Sequence, residues 1–414
     1  MPSYFDKIRL FQISGNRLFL PVAAGYALGY QPLIALPFMV GVMEDAFGFS
    51  SRQIGIIAGL EIFAMALTLL LVAPRVSRFL RHYTAFAGGL AIATLQLVSL
   101  VAAQDFVVFC ALRMLLGVTS GVVVAMANSC IAMMPQPERH CGYAFGLSTF
   151  SYFCLYVLLG AAIDADAAVG AYTTMAALAF LLSPFMLVLP PHTPKRNLSG
   201  QKILRSGLLL LLIIPLYYMG QIAVLGYAER IGMGAGLSDI SVGVALGLGE
   251  FVSIGAPLLA AAIGVRYGHV LPIAISSAAM VGMGLILLNT MSPFVFFVAY
   301  CGFLFLDLFK DPYLMGLAAR LDPQGRVLAA ATGSGLMGSS LGINLAGNLI
   351  QTQMDFAALS WLLLLPCLLA LYLLRPVARV IQRTATGGKA AKSRGRARTA
   401  PSSRVQTVKA AASK

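Results

Sequence analysis

The chain reads as an all-α polytopic membrane protein: twelve spans in two pseudo-symmetric six-helix bundles, with both termini cytoplasmic. Of its 414 residues, 59% are hydrophobic and only 11% charged, whereas a soluble domain carries about a quarter charged residues. Apolar windows of about 20 residues recur along it, the length a helix needs to cross roughly 30 Å of hydrocarbon. The two halves also repeat each other in sequence. The alternating ten-residue segments of a membrane β-barrel are absent.

The expected spans lie near 18–42, 53–73, 84–103, 106–131, 141–163 and 168–190 in the first half. Those of the second half lie near 206–228, 240–263, 268–289, 293–317, 327–350 and 356–374. The first apolar run is too long for a cleavable signal and lacks a small-x-small site, so the first helix is expected to be its own targeting signal. Domain bounds follow: a bundle at 1–190, a basic Pro/Ser/Gly linker at 191–205, a bundle at 206–375 and a basic tail at 376–414. That tail has neither apolar period nor acid, which predicts disorder and attraction to anionic lipid.

Charge fixes the expected orientation. Counting loops alternately from a cytoplasmic N-terminus, all 29 Lys and Arg fall on that side except Arg52, Arg230, Arg113 and Lys310. Arg113 and Lys310 lie inside spans, while Glu44, Asp45, Asp105, Asp164, Asp166, Glu229, Asp239 and Asp355 populate the other side. This is the positive-inside asymmetry of a multi-pass cell-membrane protein, so the net charge of +14 does not indicate nucleic acid. The six cysteines are scattered with no CxxC pair and read as packing residues. No metal or cofactor is expected.

Shifting the chain by 188 residues places "GFSSRQIGIIAGL" (48–60) on "GLSDISVGVALGL" (236–248). Gly48/Gly236, Ser50/Ser238, Gly55/Gly243 and Gly59/Gly247 coincide, and one deletion later so do Arg139/Arg326, Gly146/Gly333 and Gly160/Gly347. A duplicated six-helix unit accounts for this register. Ser50 and Ser238 are expected to N-cap helices two and eight.

These features resemble the major facilitator superfamily of secondary transporters over roughly residues 15–375. The family's loop after helix two, G-x-x-x-D-R-x-G-R-R, matches "PRVSRFLRH" (74–82) weakly and "GVRYGH" (264–269) better, through Arg266 and Gly268. Ser77 and Val265 stand where the family has an acid. In helix four, "RMLLGVTSG" (113–121) is similar to the family's Arg-x-x-x-Gly. Helix five has glycines but not the Gly-Pro of the family's proton-driven exporters. The resemblance implies alternating access around a midplane cavity lined by helices one, four, seven and ten. It further implies cytoplasmic gating loops, here carrying Arg78, Arg81, Arg139, Arg266 and Arg326, and substrate contact by Tyr30, Gln31, Arg113, Tyr217, Tyr218 and Gln221.

Six ionisable residues fall within spans: Glu61, Arg113, Glu250, Asp307, Lys310 and Asp311. Each costs about 2.5–3.5 kcal/mol if isolated at a helix centre, so they must pair, be neutral or face water. Asp307, Lys310 and Asp311 share one helical face. Asp307 and Lys310 are candidates for the cavity wall, and Asp311, preceding Pro312, is expected to cap a resumed half-helix. Four acids exceed two bases, and desolvation favours the neutral carboxyl. Glu61, Glu250 and Asp307 are therefore the candidate proton-coupling groups, with a fixed hydrogen bond to a neighbouring helix the alternative for the two glutamates.

The expected function is secondary active transport of a small organic solute, proton-coupled, by a monomer. An uncoupled facilitator and a non-transporting receptor of the same fold are the alternatives. Catalysis is not expected. "GSSLG" (338–342) satisfies Gly-x-Ser-x-Gly inside a span, and all four histidines lie in loops, so no Ser-His pair forms. "ATGGKAAK" (385–392) lacks the ends of a phosphate loop.

Overall fold

The computed structural model describes residues 18–131, 137–191, 205–264, 266–321, 326–353 and 355–377. They are helical throughout, with short turns and no strand among them. The first bundle comprises α1 (Phe19–Asp45), α2 (Ser51–Val76), α3 (Arg81–Gln104), α4 (Phe106–Ile131), α5 (Pro137–Ala165) and α6 (Ala167–Val188). The second comprises α7 (Gly207–Gly234), α8 (Asp239–Ile263), α9 (Val270–Asn289), α10 (Pro293–Leu321), α11 (Arg326–Gln353) and α12 (Phe356–Val377). Residues 192–204 of the linker and 378–414 of the basic tail lie outside the described residues.

Eleven of these helices are long and apolar enough to cross a membrane. The twelfth, α11, is rich in Gly, Ser and Asn because it packs between α2 of the first bundle and α7 of its own. Little of its surface needs to be apolar for lipid. Small residues let helix backbones approach closely, which is how helices associate where no hydrophobic drive exists.

The turn chemistry follows the repeat. Gly48 and Gly236 both adopt left-handed backbone, φ 69° and 93°, a conformation open to glycine at little cost. Two residues on, Ser50 caps α2 by accepting from Gln53 N at 3.4 Å, and Ser238 caps α8 by accepting from Ser241 N at 3.4 Å. Asp166 caps α6 by accepting from Val169 N at 3.0 Å.

The bundles meet along two related seams, α2 against α11 and α5 against α8. At the first seam, a Cβ added to Gly55 would lie 3.1 Å from the Cα of Gly347; at the second, one added to Gly243 would lie 3.1 Å from the Cα of Gly160. Gly55 and Gly243 are repeat equivalents, and so are Gly160 and Gly347. The duplicated unit therefore supplies both sides of both crossings, with partners exchanged.

Overpacking a tight contact costs about 1–3 kcal/mol or more. Gly347→Leu and Gly243→Leu are each expected to lower the melting temperature of the detergent-purified protein, measured by fluorescence-detected size exclusion. Gly282→Leu, where an added Cβ meets nothing within 4 Å, should leave it unchanged.

Candidate functional site

Arg113 on α4 is 1% exposed and committed within its own bundle. Its Nε and Nη2 donate to Glu61 Oε2 of α2 at 2.9 and 2.7 Å, and its Nη1 donates to Gln96 Oε1 of α3 at 3.1 Å. A charge-assisted pair with a third polar partner is the arrangement that makes a buried guanidinium tolerable. A small cavity beside the pair is lined by Pro32, Ala58, Glu61, Met65 and Ser120. Gln31 also turns into this bundle, its amide donating to Met175 O of α6 at 3.0 Å. Neither Gln31 nor Arg113 joins the polar group of the second bundle.

That second group is built on α10. Lys310 is fully buried, its Nζ held by the Asp307 carboxylate and 3.9 Å from Asp311 Oδ1. Gln221 of α7 donates to Asp307 Oδ2, and Tyr218 OH donates to Asp311 Oδ2 at 3.1 Å. The Lys310 ammonium lies 5.8 Å from the Tyr217 ring and 6.0 Å from the Tyr218 ring, within cation–π range. Asp311 does not cap a half-helix: α10 runs unbroken from Pro293 to Leu321 with Pro312 inside it. The carboxylate bonds to α7 instead, a stronger draw than a helix start that does not exist.

Glu250 of α8 differs from Glu61 of α2, which lies within one residue of it in the repeat. It is 7% exposed, and no donor or cation among the described residues meets its carboxyl group. Its electrostatic neighbours are Asp307 and the tyrosines Tyr152 and Tyr156 of α5 and Tyr300 of α10. The cause lies in the repeat. Shifted by 188, Arg113 falls on Cys301 and Glu61 falls on Gly249, one residue before Glu250, so the second bundle has a glutamate near that depth but no arginine facing it. Tyr30 of α1, part exposed, faces this region and lies within electrostatic reach of both Tyr152 and Tyr218. Tyr152 OH donates across to Tyr26 O of α1 at 3.2 Å.

A third cluster joins the bundles at the face where α1 and α7 end. Arg230 Nη2 donates to Gly41 O at 2.8 Å and pairs with Asp45 Oδ2 at 2.6 Å, while its Nε lies 3.3 Å from Glu44 Oε2 and 3.5 Å from Glu229 Oε2. Glu229 is 4% exposed and leaves no room at Gly41, where an added Cβ would lie 2.8 Å from its Oε2. Sequence reasoning missed this latch, as it missed Gln96 and the tyrosines around Glu250. The available signal was Arg230 itself, one of two arginines on the acidic face.

The loop arginines are dispersed. Arg78 and Arg266 are exposed, whereas Arg81 is fully buried with Nη1 2.9 Å from Cys130 Sγ. The side chains of Arg139 and Arg326 lie outside the described residues. "GSSLG" sits within α11, where Gly338 and Gly342 pack on the Pro215 and Met219 backbone of α7 and Ser340 Oγ donates to Gly59 O at 2.7 Å. It is a helix-packing face, not a nucleophile elbow. Among the described residues no cluster of three or more His, Cys, Asp or Glu could hold a metal ion.

Twelve helices in two repeat-related bundles, with polar groups buried at mid-span, define the architecture of a membrane transporter. The chain belongs to the Major Facilitator Superfamily, whose model matches residues 22–323. Among solved structures it is similar to a single-substitution mutant of the nucleoside transporter NupG (TM-score 0.70, 12% identity, covering 87% of this chain and 99% of that one). It is also similar to a second NupG structure (TM-score 0.62, 14% identity, covering 89% and 99%). No curated protein sequence matches.

Removing one partner of a buried ion pair costs about 3–5 kcal/mol, whereas replacing both by apolar groups is often neutral. Arg113→Leu is expected to destabilise strongly in a thermal melt. The double substitution Glu61→Leu/Arg113→Leu should recover most of the loss.

Proposed function

We propose that this transporter carries a small organic solute by alternating access and couples the movement to protons through Glu250. The single observation behind the coupling is that Glu250 is buried at the meeting of α5, α8 and α10 without a counter-charge. Desolvation disfavours a lone carboxylate, so such a group exchanges a proton when its access to water changes. Glu61 and Asp307, the other candidates, each hold a base within their own bundle and serve as fixed structural charges in this reading.

The solute site in this reading lies between Tyr30 of α1 and Tyr218, Gln221, Asp307 and Asp311 of the second bundle. Aromatic faces with an amide and carboxylates suit a partly apolar organic molecule. NupG is a nucleoside transporter, and uridine belongs among the solutes to be tried. By the positive-inside asymmetry, the termini are cytoplasmic in a cell membrane and the Arg230 latch is external. The latch and the two glycine crossings lie toward one face, which supports a conformation sealed to the outside. The monomer suffices for this cycle.

In proteoliposomes with an imposed inward or outward pH gradient, solute accumulation should collapse with a protonophore. Glu250→Gln should retain exchange of solute for solute but lose gradient-driven accumulation by about tenfold or more. Accumulation that survives removal of both the pH gradient and the potential would sink proton coupling. Equilibration without accumulation would mark an uncoupled facilitator.

Arg230→Gln should loosen the seal. Hydrogen–deuterium exchange is expected to rise several-fold at the α1 and α7 tips, and external thiol reagent should reach a cysteine placed at Tyr30 faster than in the parent background. Unchanged labelling would exclude a gating role for the latch.

A further inference from the structure

We propose that the solute is an organic cation, an ammonium carrying an aromatic or apolar group, whose positive centre is held by Glu250. This deepens the transport reading above and rests on it.

The buried charges decide the sign. Four acids and two bases lie within the spans. Arg113 is 1% exposed and bonded to Glu61 and Gln96; Lys310 is fully buried between Asp307 and Asp311. Both bases are thus spent inside their bundles, on acids they already touch. An anionic solute entering between the bundles meets no available cation among the mid-span residues. It meets instead the unpartnered Glu250 and the carboxylate of Asp311, 23% exposed and 3.9 Å from Lys310 Nζ.

The surroundings of Glu250 fit the same sign. Tyr152 and Tyr156 of α5, Tyr300 and Asp307 of α10, and Tyr30 of α1 stand around this region. Aromatic faces attract an ammonium as well as an apolar group, and do so more strongly where water is excluded. The nearest ionisable groups to Glu250 are therefore one further acid and three tyrosines, with Lys310 bound to that acid. The first bundle neutralises Glu61 with Arg113, whereas the second has Cys301 where Arg113 falls at a shift of 188, and Glu250 lies one residue past the position of Glu61. A cation brought by the solute completes in the second bundle the pair that the first bundle makes for itself. Proton and ammonium compete for the one carboxyl, so solute binding releases to solvent the proton that the carboxyl would otherwise take up.

The test uses the full-length protein in detergent, apart from any flux. Binding of benzyltrimethylammonium is compared with benzoate, benzyl alcohol and uridine, which share ring size or polarity but not charge. Saturable binding of the quaternary cation is expected, with release of close to one proton per cation in weakly buffered solution. Glu250→Gln should weaken that binding about tenfold or more, the scale of one lost charge-assisted contact, and abolish proton release. Glu250→Asp should restore part of both, which separates loss of the charge from loss of fold. Failure of the cation to bind up to millimolar concentration, or binding of benzoate or uridine in preference to it, overturns the inference. Cation binding without flux in proteoliposomes would keep Glu250 as a cation site and remove the transport reading, and with it the cation's role as solute. Flux of an anion or a nucleoside would do the reverse.

Discussion

The Lys310 ammonium at mid-span, fully buried and held by Asp307 and Asp311, states the constraint on which the rest of the molecule depends. A charge inside hydrocarbon must be compensated where it sits. Lys310 is compensated by its own helix and cross-braced to α7 through Gln221 and Tyr218. Arg113 is compensated by Glu61 and Gln96 on the two helices beside it. Each bundle is thereby close to electrically self-contained at mid-depth. Two bodies of that kind can rotate against one another without pulling an ion pair apart in the membrane. Among the described residues, the ion pairs that bridge the bundles, those of Arg230, lie at a tip where water can receive the charges when they separate.

Close backbone approach is the complementary constraint. The repeat unit has one glycine early in its second helix and another late in its fifth. Two copies related by a pseudo-two-fold axis bring Gly55 to Gly347 and Gly243 to Gly160. One glycine pair in an ancestral unit thus produces both seams, and the low hydropathy of α11 follows from its position inside them. A smooth crossing of small residues has few interlocking side chains to unpack, which is what a surface that must rock requires.

What the sequence revealed follows the same physics. Spans were legible because lipid demands about 20 apolar residues each, and the caps and left-handed glycines because duplication left two copies to compare. The window at 327–350 reads with the apolar spans, although the α11 it forms is less apolar than the other eleven. Pairing across helices was not legible. Glu61 and Glu250 look alike in sequence, both apolar-flanked at mid-span, and only the fold brings an arginine 52 residues away to one of them. Asp311 read as a cap because Pro312 follows it; the tertiary bond from Tyr218 overrode that local preference. Gln31 and Tyr30 are neighbours in sequence but point about 100° apart around the helix, Gln31 toward α6 and Tyr30 toward Tyr152.

The asymmetry between the two glutamates carries the functional argument to its last step. Each bundle carries one glutamate near the middle of its second helix, offset by one residue in the repeat, and an uncompensated charge is costly at that depth in either. The first copy removes it permanently with Arg113. The second keeps Cys301 where the arginine would stand and surrounds its acid with tyrosines, groups that tolerate either a neutral carboxyl or a cation beside it. A permanent partner would fix Glu250 in one protonation state through the whole cycle. Under the proposed coupling, an absent partner lets the occupant be a proton in one orientation of the bundles and a solute in the other, so that coupling requires no moving part beyond the rocking itself.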